Sequence, residues 1–182
     1  MNKNAPWDTV VGLVSELEKC DTNNIPTAAI AMAYICIDTF YSLARPQNKV
    51  WATRSDFIDW VNQFLKGHPD QPYKYRGKDV YAARCAFLHT YGSEAQLHEQ
   101  NPDLIKFAYH NGGKHAYNPE IDPTLAIIGT RSFINDVILA GRTFMDECRS
   151  NALLRNRVED VFLMYSNLFH SLHKKTKNKP SL

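Results

Sequence analysis

The sequence predicts an all-α fold, a five- or six-helix bundle with a small β-hairpin insertion after its fourth helix. Six stretches repeat apolar residues at the three-and-four spacing of an amphipathic helix, and starting or stopping residues separate them. One stretch, Leu104 to His110, alternates as a strand does and runs into the turn signal Asn111-Gly112-Gly113.

Asp8 suits the N-cap of a first helix to about Lys19, with Val10, Val11, Val14 and Leu17 on one face and Trp7 stapling its start. Asn23 and Asn24 make a turn. Pro26, at a first helical position, opens a second helix through about Ala44. That helix is apolar on nearly every side, which marks it as central, and its one charge is Asp38. Ser55 caps a third helix, where Phe57, Trp60, Val61, Phe64 and Leu65 keep helical spacing as far as Gly67.

The fourth helix spans Gly77 to Gly92, and Ser93 to Asn101 beyond it is polar. The strand at Leu104 to His110 has two candidate partners, His115 to Tyr117 and Leu125 to Ile128, between which pattern alone does not choose. Thr130 or Ser132 caps a fifth helix with Phe133, Ile134, Val137, Ile138, Gly141, Phe144, Met145 and Cys148 as its stripe. Asn151 begins a sixth, with Leu154, Val158, Val161, Phe162, Tyr165, Leu168, Phe169 and Leu172 inward. Residues 1–173 thus form one helical domain. Residues 174–182, with Lys174, Lys175, Lys177, Lys179 and no acid, form a basic, flexible tail.

The fourth helix, GKDVYAARCAFLHTYG, places polar chemistry inside apolar sequence. Asp79 suits the positive end of the helix and Gly92 a left-handed C-terminal cap. At roughly 100° per residue, Arg84 shares the apolar arc of Val80, Ala83, Phe87, Leu88 and Tyr91. A guanidinium there needs a partner, and Asp38 supplies one if the two helices pack side by side. Ala82, Cys85, Ala86 and His89 form a second arc, small enough to admit another helix or a second subunit. Five residues of straight helix separate Arg84 from His89 by roughly 140°. Their convergence is therefore expected across a two-fold axis between copies, rather than through a distorted last turn.

An Arg-x4-His pair near the C-terminal end of a bundle helix resembles the Arg-x4-6-His motif of HEPN domains, with Cys85 where that family usually carries Asn, Asp or His. Only Arg84 and His89 carry over. The resemblance implies a HEPN-type bundle that dimerises with itself and cleaves RNA without metal or cofactor, in a cytoplasmic stress or defence role. It also implies an antitoxin or regulatory protein as a further partner. Cleavage of this kind needs a base near a 2′-hydroxyl, an acid for the leaving oxygen and a cation for the phosphorus-borne charge. Two His89 and two Arg84 meet that need. The competing reading is a non-catalytic dimeric helical module binding nucleic acid or a protein partner, in which Arg84 is simply the ion-pair partner of Asp38.

The proline-bounded loop PDQPYKYRG delivers Tyr73, Lys74, Tyr75 and Arg76 to the start of the fourth helix. Tyrosines stack on bases and cations hold phosphates, so these four are candidate RNA-binding residues; alternatively the tyrosines pack and the cations are solvated. His170 with His173, and His110 with His115, are the nearest approaches to a metal pair. The first pair has no matching acid or thiol beside it, the second flanks the glycine turn of the expected hairpin, and no metal site is expected.

Composition sets the remaining bounds. A chain of 182 residues with 44% hydrophobic and 22% charged residues buries a sizeable core without staples. A net charge of +2 gives no global pull toward nucleic acid or membrane, so RNA affinity has to be local. Cys20, Cys36, Cys85 and Cys148 lack Cys-x-x-Cys spacing and suggest reduced thiols in a cytosolic protein. The N-terminus has no apolar signal core. The longest apolar run, Ile25 to Ile37, ends at Asp38, so no membrane partner is expected.

Overall fold

The computed structural model describes residues 5–46 and 48–163. In chain order it has α1 (Ala5–Thr22), α2 (Pro26–Ala44), α3 (Arg54–Phe64), α4 (Gly77–Thr90) and a short α5 (Gln96–Gln100). Strands β1 (Lys106–His110) and β2 (Leu125–Gly129) and helix α6 (Thr130–Ser150) follow, and a seventh helix, α7, is described over 152–163. Helix dominates, as the sequence predicts. The residues proposed for the far end of the last helix, for the basic tail and for the His170–His173 pair lie outside the described residues.

Helix α2 is the axis of the core. Ala29, Ile30, Ala33, Tyr34, Cys36, Ile37, Phe40 and Leu43 are buried along it, against α1, α3 and α6. By length and composition it is apolar enough to cross a membrane, and here those side chains are the protein's interior. Asn24, in the left-handed region at φ 55°, turns the chain into Pro26 at the start of α2. At the lower end of the core Phe40, Trp60, Phe64 and Phe144 bring α2, α3 and α6 together with ring centroids 5.1–6.0 Å apart. At the other end Tyr34, Phe87, Tyr109 and Phe133 join α2, α4, β1 and α6, and the Tyr34 and Tyr109 hydroxyls share a short hydrogen bond.

Several boundaries differ from expectation for identifiable reasons. Helix α1 is already helical at Ala5, which puts Asp8 in its first turn instead of at its cap. Thr53, not Ser55, caps α3, because Asp56 three residues on completes a reciprocal capping box. Helix α3 ends at Phe64, short of Gly67. Helix α4 closes on Tyr91, which takes the left-handed conformation at φ 52° expected of Gly92. Gly129 precedes α6 without a side-chain cap, whereas Asn151 Oδ1 accepts from the Leu154 N–H at 3.1 Å and caps α7 as anticipated.

The β element is not a hairpin. Strands β1 and β2 pair in parallel, Lys106 with Leu125 through His110 with Gly129. The chain over 111–124 is long enough for a parallel crossover, and the Gly112 and Gly113 carbonyls dock on the start of α6 instead of turning the chain back along β1. Ala116 then forms an antiparallel bridge with Ile127 on the outer edge of β2. Of the two candidate partners of the predicted strand, Leu125 to Ile128 pairs with β1, whereas the segment around Ala116 pairs with the other edge of β2.

Candidate functional site

The candidate site forms where α4 crosses α2. The helices pack side by side, and Asp38 Oδ2 accepts from Arg84 Nε at 3.0 Å and Nη2 at 2.7 Å. The side chains are 25% and 24% exposed, so this is a pair at the margin of the core, neither solvated nor deep. Burial pushes the Asp38 carboxyl above its ordinary range, outweighing the opposing pull of Arg84 and His89. Burial opposes charge on Arg84 too, yet its bonds to Asp38 hold the guanidinium more firmly protonated than usual. Asp38 Oδ1 is buried with no hydrogen-bond partner among the described residues.

The third nitrogen of Arg84 reaches the exposed His89: Nη1 and Nε2 are 3.5 Å apart. This corrects the expectation that the two converge only across a symmetry axis or through a broken helix. The arginine side chain is long enough to cross the angular gap on one helix surface, and α4 stays regular to Thr90. The small-residue arc is also largely spent inside the chain, since Ala82 and Ala86 are buried, Cys85 is half-buried and only His89 is exposed. Beside Asp38 a groove of about 390 Å³ runs between α1, α2 and α7, lined by Thr9, Ile35, Thr39, Ser42, Leu43 and Phe162.

The loop ahead of α4 turns inward. Tyr73 is buried and donates to Asp79 Oδ2 at 2.7 Å, with its ring edge-on to Phe107 and Tyr117. Tyr75 is half-buried against His115 and Phe133. Neither ring is presented for stacking on a base, so of the two readings of this loop the packed one describes its tyrosines, and the base-stacking one is corrected. Arg76 is clamped to both oxygens of Asp79 and donates to the Asp103 carbonyl at 2.9 Å. Lys74 alone of the four is exposed, its ammonium on the His68 and Pro69 carbonyls.

Two polar groups escaped sequence reasoning. Asp79, assigned only to the helix dipole, is fully buried and gathers Tyr73, Arg76 and the Ile105 N–H at 3.1 Å, tying the loop and β1 to the start of α4. Asp136, lying among apolar stripe residues of α6, accepts from the Tyr75 hydroxyl at 3.1 Å. The available signal was the same for both, a carboxylate in an otherwise apolar helical stretch.

His110 and His115 are each engaged in hydrogen bonds within the chain. His110 Nε2 bonds to the Lys114 carbonyl at 2.8 Å, while His115 is buried beneath Tyr75. Among the described residues no group of three or more His, Cys, Asp or Glu is placed to hold a metal ion. Chemically, the Arg84–His89 site offers a fixed cation beside an exposed imidazole. No protein-family model matches the chain, and neither the curated proteins nor the solved structures contain a match to it.

Proposed function

We propose that the chain is a HEPN-type, metal-independent endoribonuclease that works in the cytoplasm as a homodimer, with Arg84 and His89 of each copy in a composite cleft. The observation that supports this reading is the anchored Arg84 guanidinium beside the exposed His89 imidazole, with Asp38 fixing the arginine from behind. One imidazole takes the proton of a 2′-hydroxyl as the O2′–P bond forms. The second, from the other copy, gives a proton to the departing 5′-oxygen as the P–O5′ bond breaks. The guanidinium groups stabilise the charge gathered on the phosphoryl oxygens, and the product carries a 2′,3′-cyclic phosphate. Asp38 is a positioning residue. Lys74 adds a phosphate contact, the role left to the loop once its tyrosines are turned inward.

The test is end chemistry. With chelator present the protein should leave 2′,3′-cyclic phosphate ends on single-stranded RNA, and folded Arg84→Ala and His89→Ala proteins should not. Undiminished degradation by both variants would mark a contaminant. It would favour the alternative, a non-catalytic module for which the Asp38–Arg84 pair is only structural.

A further inference from the structure

We propose that segment 111–118 is an acid-released strap, held across β2 and the start of α6 by the neutral imidazole of His115. Among residues 111–118 His115 is the one buried side chain, at 2% exposure. Beside it Tyr117 packs a half-buried ring edge-on to Tyr73, and the rest of the segment's attachment is polar.

The bonds are directional. His115 Nδ1 accepts from the buried Gly129 N–H at 3.0 Å, which assigns the ring proton to Nε2. Nε2–H then donates to the Tyr75 hydroxyl at 2.8 Å, and that hydroxyl donates to Asp136. Around this anchor the His115 N–H donates to Gln71 Oε1 at 2.8 Å, and the Arg131 N–H donates to the Gly112 carbonyl at 3.1 Å. Gln71 Nε2 and Ser132 Oγ both donate to the Gly113 carbonyl. The fit at Gly129 is close: a Cβ there would stand 2.7 Å from the Gly113 oxygen.

A second proton on His115 breaks this arrangement. It would place an N–H on Nδ1 facing the Gly129 N–H, donor against donor. The groups around the ring do not compensate. His110 from β1 and Lys74 from the loop before α4 oppose a positive charge, while Gln71, Tyr75 and the Gly129 amide are neutral. Asp136 on α6 is the one anion within the network, and it reaches the ring only through Tyr75. Its carboxyl, raised to about 6 by burial, becomes neutral before His115 charges. Burial lowers the held imidazole to about 4 against 6.5 for a free one. Linkage then makes release roughly 20-fold easier at pH 5 than at pH 7, provided Asp136 stays in place on α6.

Release is read by amide hydrogen exchange at Gly129, Ala116 and Ile127, referenced to Val137 inside α6. In the wild-type chain the three amides should lose roughly 20-fold of relative protection between pH 7 and pH 5, while His115→Gln, which keeps an acceptor but cannot charge, should show no such loss. A flat wild-type ratio, or an equal loss in His115→Gln, overturns the proposal. Should His115→Gln not fold, Asp136→Asn decides: retention of the acid-dependent loss supports the imidazole as sensor, and its disappearance overturns that assignment.

Discussion

Arg84 Nη1 and His89 Nε2 stand 3.5 Å apart on one helix of one chain, with Asp38 of α2 holding the opposite side of the guanidinium. The acid sets the arginine's direction and the arginine meets the histidine. Removing the acid should therefore disturb both stability and chemistry.

Asp38→Asn keeps the shape of the side chain and removes its charge. For a pair with about a quarter of each side chain exposed, an intermediate loss of about 1–2 kcal/mol is expected in urea unfolding. RNA cleavage should fall mainly in kcat, because the guanidinium loses its orientation and not its charge. A variant with unchanged kcat would show that Asp38 does not position Arg84.

Asp79→Ala should be the more damaging change. It leaves the Tyr73 hydroxyl and the Ile105 N–H without their buried acceptor, and the part-exposed Arg76 guanidinium with only the Asp103 carbonyl. A loss of about 3 kcal/mol is expected from the denaturation midpoint, with hydrogen exchange quickening at the start of α4. A loss below about 1 kcal/mol would mean that water replaces the network.

Gly77→Ala tests the packing that sets α4 on α3. An added Cβ would stand 2.4 Å from the Ile58 carbonyl oxygen, a backbone atom that cannot turn aside. Overpacking of this kind should cost about 1–3 kcal/mol in thermal or urea unfolding. A neutral result would show that the two helices separate freely.

The pH dependence of global stability follows from two opposite shifts. His115 is lowered to about 4, so its contribution is present above about 6.5 and is lost as pH falls from there to 4. Asp136 is raised to about 6 from 3.8, so the folded state gains relative stability as pH falls from 6 to 3.8. Between about pH 4 and 6 each state carries one proton, the folded chain on Asp136 and the unfolded chain on His115, and the two slopes cancel. Urea unfolding at pH 7 and pH 5 should show an acid-induced loss in Asp136→Asn and an acid-induced gain in His115→Gln, each relative to wild type. Parallel behaviour of all three proteins would refute the pairing.

What the sequence made legible was local or strongly periodic. Pro26, the apolar run of α2 and its single charge were enough to anticipate the Asp38–Arg84 pair, because one carboxylate on the central helix has few places to be satisfied. The parallel pairing of β1 and β2 was not legible. It depends on the Gly112 and Gly113 carbonyls docking on α6, a long-range contact with no periodic signature. Tyr91 in place of Gly92 and Thr53 in place of Ser55 show caps moving by a residue or two when a neighbour completes the hydrogen bonds. The helical angle between Arg84 and His89 misled because it described Cβ directions and ignored the reach of the arginine side chain.

The central claim, that Arg84 and His89 act as one RNA-cleaving unit, is tested most directly by a double-mutant cycle on kcat/KM with chelator present. Arg84→Ala, His89→Ala and the double variant should all fold, and the double variant should lose no more activity than the worse single one. Wild-type rates in all three would contradict the account.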